Sequence, residues 1–268
     1  MKTADNTHEN SPKANFDNIY AMYSPKQYVE YLVGELNYEL PFQTVAELQT
    51  YIDAVYPEKS PTNPVEIAVI GSSHGLDAVA LNYGMTSAEI MARWSDETMV
   101  TMPFDDGDAS YTCTLIDIEP EPLRFALDVN LAKQIFVADL SHDLSADLAV
   151  YFRTMADVIV GTGMISYMGV EGLDRLLQAA FGEGKAQLFC FSALKFLEVD
   201  AFITVCKKYG LVVEKIIHGH HRIYQSEAEK QRVQGLLVSK GLLSEEDEHG
   251  LDGYVFLAYR QERQGNLI

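Results

Sequence analysis

Residues 65–77 read Val-Glu-Ile-Ala-Val-Ile-Gly-Ser-Ser-His-Gly-Leu-Asp, and this stretch decides the fold. Five of its first six residues are apolar, which is typical of a strand buried on both faces of a parallel sheet. Gly71 and Gly75 then turn the chain into a helical run that begins at Ala78. Glycine lets the backbone approach a ligand closely, and the first amide groups of a helix point outward without partners. The stretch therefore predicts a nucleotide cradle between a buried strand and a helix.

This glycine turn departs from the two most familiar nucleotide-binding motifs. It lacks the three glycines of the dinucleotide fingerprint, and no Gly-Lys-Ser or Gly-Lys-Thr follows it, as one would in a P-loop. A nicotinamide oxidoreductase is therefore disfavoured. The alternative that stays open is an ordinary strand-to-helix turn of an α/β protein, with no ligand.

The composition favours a small-molecule ligand. The chain has 268 residues, 47% of them apolar, and a formal net charge of −19. So negative a chain repels phosphates, which argues against nucleic acid or an anionic membrane as a partner. No apolar run has the length of a membrane span, and the polar N-terminus lacks the apolar core of a signal peptide. We expect a cytoplasmic monomer or homodimer whose three cysteines are buried free thiols.

We divide the chain into a disordered tail over residues 1–15, an N-terminal helical lid over 16–60 and a catalytic domain over 61–268. The lid segment is rich in tyrosine. Tyr20 and Tyr23 are three residues apart, as are Tyr28 and Tyr31, so each of these two pairs lies on one face of a helix. Two interpretations stay open. The tyrosines pack on the main domain, or their faces surround a cation while their hydroxyls orient a substrate. The residues concerned are Tyr20, Tyr23, Tyr28, Tyr31 and Tyr38.

Two further predicted strands end at carboxylates. Asp117, beside Ile118, closes the strand predicted over 111–118, where sheets of this kind hold the hydroxyls of a ribose. Asp139 and Leu140 follow a short strand. We hypothesise that Asp139 accepts a hydrogen bond from the exocyclic amine of an adenine while Leu140 packs on its ring.

A fourth strand, predicted over residues 157–160, leads into Gly-Thr-Gly-Met-Ile-Ser-Tyr at 161–167. Ligands of open α/β sheets lie beyond the carboxyl ends of the strands, at the point where the strand order reverses. Thr162, Gly163, Ser166 and Tyr167 are therefore candidate binding residues. The alternative is that they only shape a tight turn.

Three histidines crowd together after the strand predicted over residues 211–217. They are His218, His220 and His221, and no cysteine or carboxylate stands near them at the usual spacing of metal ligands. We therefore predict a polar loop here, and no metal.

Together these motifs resemble those of class I S-adenosylmethionine-dependent methyltransferases. Ile-Gly-Ser-Ser-His-Gly-Leu-Asp-Ala at 70–78 is similar to the glycine loop of a bacterial small-molecule branch in which Gly-Cys-Ser-Tyr-Gly opens the first helix. The segments 210–215 and 253–258 also resemble that branch, and the resemblance covers about residues 15–260.

The resemblance implies a Rossmann-like, doubly wound and mostly parallel sheet of seven strands, with helices on both faces and an N-terminal helical lid. S-adenosylmethionine is the implied cofactor, held by Gly71, Ser72, Ser73, His74, Gly75, Asp117, Ile118, Asp139, Leu140, Thr162 and Gly163. The implied catalytic residues are Tyr20, Tyr28 and Tyr167, and the implied substrate contacts are Tyr23, Tyr31, Tyr38 and Ser166.

The sequence departs from the family at two positions. The acidic residue that usually ends the first strand is missing, because Ile70 precedes Gly71. This puts the usual contact to the amino group of the cofactor in doubt. His74 stands where the branch has tyrosine, and it either hydrogen-bonds the cofactor carboxylate or packs.

The leading interpretation is a biosynthetic methyltransferase that acts on a small molecule. Methyl transfer from a sulfonium needs alignment and a water-poor pocket rather than a strong base. An alternative is suggested by similar proteins that cyclise S-adenosylmethionine itself to azetidine-2-carboxylate and methylthioadenosine. A third interpretation is a binding protein that retains the fold without catalysis.

Overall fold

The computed structural model describes residues 17–105 and 107–260. The predicted disordered tail, residues 1–15, and Phe16 of the predicted lid lie outside the described residues. The chain begins with α1 (Asp17–Tyr20) and α2 (Lys26–Tyr28), which continues as a π-helical segment, Val29–Glu35. Helix α3 (Leu40–Val55) follows and leads to the sheet.

The remaining elements alternate between strand and helix over most of the chain. The strands are β1 (Val65–Ile70), β2 (Tyr111–Asp117), β3 (Gln134–Val137), β4 (Val158–Gly161), β5 (Leu188–Leu194), β6 (Leu211–Ile223) and β7 (Gly250–Arg260). The helices are α4 (Leu76–Tyr83), α5 (Ser87–Ser95), α6 (Pro120–Asp128), α7 (Ala146–Thr154), α8 (Ile165–Leu177), α9 (Asp200–Lys208) and α10 (Glu227–Lys240). Helix α8 continues as a π-helical turn, Gln178–Gly182, and a 3₁₀ helix spans Glu245–Glu248.

The strands form one seven-stranded sheet in the order β3-β2-β1-β4-β5-β7-β6. All neighbours are parallel except β7, which runs antiparallel to both β5 and β6. The predicted doubly wound, mostly parallel sheet of seven strands is therefore confirmed. The order reverses between β1 and β4, so the ends of these two strands flank the crevice in which open sheets bind ligands.

Helices cover both faces of the sheet, so β1 is buried on both of its faces. Val65, Ile67 and Val69 belong to one apolar core, whereas Ala68 and Ile70 belong to another. The first core also contains buried residues of the N-terminal segment and of α3, α4, α5 and α6. The second contains residues of α7, α8 and α9. The helices on both faces are as predicted, and the N-terminal helices share a core with the sheet.

Two elements differ from those predicted from the sequence. Strand β6 continues to Ile223, so the predicted loop at His218, His220 and His221 is wrong, because antiparallel pairing with β7 holds this segment extended. Helix α7 (Ala146–Thr154) was not predicted. Strand β7 runs antiparallel between β5 and β6, and α10 stands in the connection that precedes it.

Other expectations from the sequence have mixed outcomes. Cys113, Cys190 and Cys206 are buried free thiols, as predicted. The described part of the chain contains no helix with both the length and the apolarity needed to cross a membrane. The predicted cytoplasmic location and oligomeric state stay predictions.

Candidate active site

A cavity of about 420 Å³ opens at the carboxyl ends of the parallel strands. Its walls come from the glycine turn after β1, the ends of β2, β3 and β4, and the N-terminal helices. Most of the residues proposed from the sequence line it: Tyr20, Tyr28, Tyr38, Gly71, Ser72, Ser73, Asp117, Ile118, Asp139, Leu140, Thr162, Gly163 and Tyr167. The predicted residues are thus brought together in one place, while their individual roles stay predictions.

The glycine turn is held in a left-handed conformation. Gly71 and Gly75 have φ angles of 63° and 90°, and Ser73 between them has a φ of 45°. A Cβ atom on Gly71 would lie 2.6 Å from Cβ of Met164, so the turn also needs glycine for space. A left-handed backbone costs energy at a residue that is not glycine. Other contacts must therefore hold Ser73 in place.

Asp117 supplies one of these contacts. Its Oδ2 accepts a hydrogen bond from the Ser73 amide at 2.7 Å, and its Oδ1 accepts one from the Glu119 amide at 3.0 Å. Burial raises the pKa of the Asp117 carboxyl, although these backbone donors act against the rise. Asp117 lines the cavity from the end of β2, and it also fixes the shape of the glycine turn.

Asp77 is a cavity residue that the sequence analysis did not select. It lies in the first turn of α4, where its Oδ2 accepts a hydrogen bond from the Thr162 hydroxyl at 2.9 Å. Its Oδ1 is buried and has no hydrogen-bond partner within the described residues. Burial raises the pKa of this carboxyl to about 6. Its place in the quoted stretch, six residues after Gly71, was the available signal.

Tyrosine side chains enclose the cavity on the side of the N-terminal helices. Tyr20 and Tyr28 lie 5.6 Å apart between ring centroids, and both line the cavity together with Tyr38. Burial raises the pKa of all three phenols, so they are neutral at physiological pH and can donate hydrogen bonds. Tyr167 stands 62% exposed at the cavity, where solvent has access.

Asp139 and Leu140 line the cavity after β3, together with Ser141. Oδ1 of Asp139 accepts hydrogen bonds from the Ser141 amide at 2.9 Å and the Ser141 hydroxyl at 2.6 Å. These bonds, the Ser141 hydroxyl first, lower the pKa of Asp139, so the group is a carboxylate that accepts further hydrogen bonds. The position is compatible with the hypothesis of an adenine contact.

Five of the residues proposed from the sequence do not line the cavity. They are Tyr23, Tyr31, His74, Gly75 and Ser166. Tyr23 donates a hydrogen bond to Asp128 instead, and the Tyr31 hydroxyl accepts one from Gln225. Gly75 faces the core, where a Cβ atom would lie 2.9 Å from Leu115.

His74 packs rather than facing a ligand. Its ring is fully buried and lies 5.0 Å from the Tyr28 ring and 5.8 Å from the Phe125 ring. Nε2 donates to the backbone carbonyl oxygen of Met22 at 2.8 Å, so the neutral ring presents Nδ1 as an acceptor to the Ser73 hydroxyl. Burial lowers the pKa of His74 to about 4. The residue ties the glycine turn to the N-terminal segment.

The other half of the cavity lies over strands β5, β7 and β6. It is lined there by Leu194, Leu251, His221 and Arg222. The Arg222 guanidinium is buried and makes a two-point ion pair with Glu229 of α10, at 2.6 Å and 3.0 Å. Arg222 was not predicted as a site residue because the strand was expected to end at residue 217, whereas β6 continues to Ile223.

No protein-family model matches the sequence, and no curated protein is similar enough to count as a relative. A search of solved structures finds several that are similar to this chain. Magnesium protoporphyrin IX methyltransferase from Synechocystis PCC 6803, solved with bound S-adenosylmethionine, is 10% identical, with 82% of this chain and 79% of that chain covered and a TM-score of 0.45. The plantazolicin methyltransferase BpumL, in complex with S-adenosylhomocysteine, is 13% identical, with 91% and 96% covered and a TM-score of 0.44.

The YcgJ protein from Bacillus subtilis is 10% identical, with 81% of this chain and 99% of that chain covered and a TM-score of 0.46. The sheet of this chain is the doubly wound, mostly parallel seven-stranded sheet that the resemblance implied, with β7 antiparallel to its neighbours.

Proposed function

We propose that the chain is an S-adenosylmethionine-dependent methyltransferase that acts on a small molecule. The observation that carries the proposal is the set of carboxylates in the cavity. Asp77, Asp117 and Asp139 follow or adjoin three neighbouring strands and all line one space beside the glycine turn. These positions match the amino group, the ribose and the adenine of the cofactor, in that order.

Asp77 answers the doubt raised by the missing acid before Gly71. A methionine ammonium group requires an anionic partner in a buried site. The buried Oδ1 of Asp77 has a free acceptor position, and the Thr162 hydroxyl orients the carboxylate through Oδ2. An acid in the first turn of α4 thus takes the place of one at the end of β1. This unsatisfied atom supports the fit of the cofactor to the site.

When bound, S-adenosylmethionine supplies a methyl group on a good leaving group. The chain supplies alignment and exclusion of water, which are the main needs of this reaction. The faces of Tyr20, Tyr28 and Tyr38 provide aromatic surroundings that favour a cation. Because these phenols stay neutral, their hydroxyls orient an acceptor rather than remove its proton.

The acceptor occupies the half of the cavity over β5, β7 and β6 in this proposal. Its walls there are apolar at Leu194 and Leu251, and the Arg222 guanidinium behind them is paired with Glu229. A small acceptor with an apolar body suits such walls. The net charge of −19 disfavours nucleic acid in the same role.

A second candidate is cyclisation of S-adenosylmethionine as the sole substrate. The observation that favours it is Asp77, whose pKa of about 6 suits a general base. Asp77 accepts a proton from the ammonium group, and the freed nitrogen bonds to the γ-carbon. The bond from that carbon to sulfur breaks, and its electron pair leaves on methylthioadenosine. The products are azetidine-2-carboxylate and methylthioadenosine.

Calorimetric titration with S-adenosylmethionine tests the common premise of both candidates. We expect one cofactor per chain, and weaker binding by Asp117→Ala. A matched control is Asp147→Ala, because Asp147 is exposed in the first turn of α7 and does not line the cavity. Absence of binding by the wild-type protein would overturn the proposal.

A further inference from the structure

The outer antiparallel pair of the sheet brings together side chains that the sequence keeps far apart. In the register of β6 and β7, His220 stands opposite Asp252 and His218 stands opposite Tyr254. Side chains two residues apart on a strand share one face of the sheet. His218, His220 and Asp252 therefore lie on one face of this pair, although the histidines and the aspartate are separated by α10 in the chain.

The distances between these groups are short. His218 Nε2 lies 4.0 Å from Oδ2 of Asp252, and His220 Nδ1 lies 3.8 Å from Oδ1 of the same carboxylate. Glu246, from the 3₁₀ helix, adds a second carboxylate. One potential ligand atom from each of Glu246, His218 and Asp252 lies within 4.8 Å of the other two.

We propose that this face is a binding site for one divalent transition-metal ion, Zn²⁺ or a metal with similar ligand preferences, held by His218, Glu246 and Asp252, with His220, which lies beside Asp252, as the fourth ligand. Ligands of tetrahedral zinc lie about 2.0–2.2 Å from the metal, which places neighbouring ligand atoms roughly 3.3 Å apart. The separations among His218, Glu246 and Asp252 exceed that value by at most about 1.5 Å. Rotation of the exposed His218 and Glu246 side chains would close this gap, and rotation of His220 would complete the set.

The chemistry of the donors selects the class of metal. Imidazole nitrogen suits zinc, copper, nickel and iron, whereas magnesium and calcium prefer oxygen alone. Two histidines with two carboxylates therefore point to a first-row transition metal. Four protein ligands also close a tetrahedral shell, which is typical of a structural site rather than a catalytic one.

The electrostatic surroundings are negative. Asp247, next to Glu246, is buried, and its Oδ1 has no hydrogen-bond partner in the described ranges, while its Oδ2 accepts from Lys195 at 2.8 Å. Asp252 is itself only 8% exposed. A divalent cation at this face neutralises carboxylates that otherwise repel one another.

The site is accessible and separate from the cavity. The side chains of His218 and His220 are 38% and 31% exposed, so an ion can reach them from solvent. None of the four proposed ligands lines the cavity, although Leu251, the neighbour of Asp252, does. The ion would therefore join β6, β7 and the 3₁₀ helix and brace one cavity wall without contacting the bound small molecule.

The test is a calorimetric titration of Zn²⁺ into the full chain, without an affinity tag and after treatment with a chelator. We expect one ion per chain, and a tetrahedral Co²⁺ absorption spectrum in a parallel titration. His218→Ala and Glu246→Gln should each weaken Zn²⁺ binding about tenfold or more. Both residues are exposed, so these variants should fold, which circular dichroism checks.

Matched controls separate a built site from adventitious binding at surface histidines. His142→Ala removes another exposed histidine beside a carboxylate, Asp139 at 3.0 Å, and Glu245→Gln changes the neighbour of Glu246 on the same 3₁₀ helix. Both controls should bind Zn²⁺ as the wild type does. The proposal is overturned if the wild type binds no single ion, or if His218→Ala and Glu246→Gln bind as tightly as their controls.

Discussion

The Thr162 hydroxyl donates a hydrogen bond to Oδ2 of Asp77 over 2.9 Å, which joins the segment after β4 to the first turn of α4. Oδ1 of the same carboxylate is buried without a hydrogen-bond partner in residues 17–105 and 107–260. A buried acceptor left open destabilises the protein until a ligand completes it. We therefore expect the Asp77 carboxylate to favour binding of the ligand and to lower the stability of the ligand-free protein.

Replacement of Asp77 by asparagine should weaken S-adenosylmethionine binding and stabilise the ligand-free protein. Loss of the charge from the pair with the ammonium group costs about 2 kcal/mol, roughly thirtyfold in affinity. The neutral amide avoids burying a charge, which we expect to raise the free energy of unfolding at pH 8 by up to about 2 kcal/mol. Calorimetry measures the first effect and chemical denaturation the second.

Asp147→Asn is the control for this pair of effects, since Asp147 also lies in the first turn of a helix but is exposed. It should leave binding unchanged and slightly lower the stability through the helix dipole. If Asp77→Asn binds S-adenosylmethionine as tightly as Asp147→Asn does, Asp77 has no part in recognition.

Affinity for S-adenosylmethionine should depend on pH through Asp77. Its folded pKa of about 6 lies above the ordinary value of 3.8, because burial disfavours the charged form. Below pH 6 the carboxyl takes up a proton and loses its attraction for the ammonium group, so affinity should fall. The ligand-free protein should gain stability from this residue over the same interval, between about pH 6 and 4. Both trends should be absent in Asp77→Asn.

His74 should contribute stability in the opposite direction. Its folded pKa of about 4 lies below the ordinary 6.5, so the neutral ring is favoured in the folded state. The contribution is fully present above pH 6.5 and is lost as the pH falls towards 4. Chemical denaturation across this interval, in the Asp77→Asn background, isolates the effect from that of Asp77. If the free energy of unfolding depends on pH in the same way after His74→Phe is added to the Asp77→Asn variant, His74 is not the source of that dependence.

The contact from His74 to Met22 should also hold the N-terminal segment against the glycine turn. His74→Phe keeps an aromatic ring but removes the 2.8 Å hydrogen bond to the Met22 carbonyl, which we expect to cost about 1–2 kcal/mol. Hydrogen–deuterium exchange should then quicken over residues 17–28 and stay constant in β1. His142→Phe, at an exposed histidine, is the control. If residues 17–28 exchange at the same rate in His74→Phe and His142→Phe, the contact between His74 and Met22 does not hold the N-terminal segment in place.

The ion pair of Arg222 with Glu229 should be a stability element beside the cavity. Its side chains are 6% and 3% exposed, so Arg222→Ala leaves a buried, uncompensated carboxylate. We expect a loss of about 3–5 kcal/mol in the free energy of unfolding. The double variant Arg222→Met with Glu229→Leu should lose clearly less. Denaturation curves decide, and an equal loss in both would contradict this account of the pair.

Local patterns were enough to predict the parts of the fold that depend on neighbours in the chain. The buried run of β1, the glycine turn and Asp117 at the end of β2 follow from apolar runs and turn residues. The capping box of α5, in which Thr86 and Glu89 exchange hydrogen bonds, is a local pattern of the same kind.

Pairings across the sheet were beyond the same reasoning. Asp77 and Thr162 are 85 residues apart, so nothing local indicated that one would orient the other. Asp252 stands opposite His220 only because β6 continues past its predicted end and pairs with β7. The length of β6 escaped prediction because its half-exposed polar residues resemble a loop, while the partner strand that holds them extended comes after α10.

The most direct test of the central claim is to incubate the pure protein with S-adenosylmethionine, with and without a pool of small-molecule acceptors, and to identify the nucleosides by mass spectrometry. The methyltransferase account predicts S-adenosylhomocysteine only when acceptors are present, and a strongly reduced yield with Asp77→Asn. Methylthioadenosine formed without any acceptor would contradict methyl transfer and establish cyclisation. Unchanged S-adenosylmethionine under both conditions would contradict an enzyme of either kind.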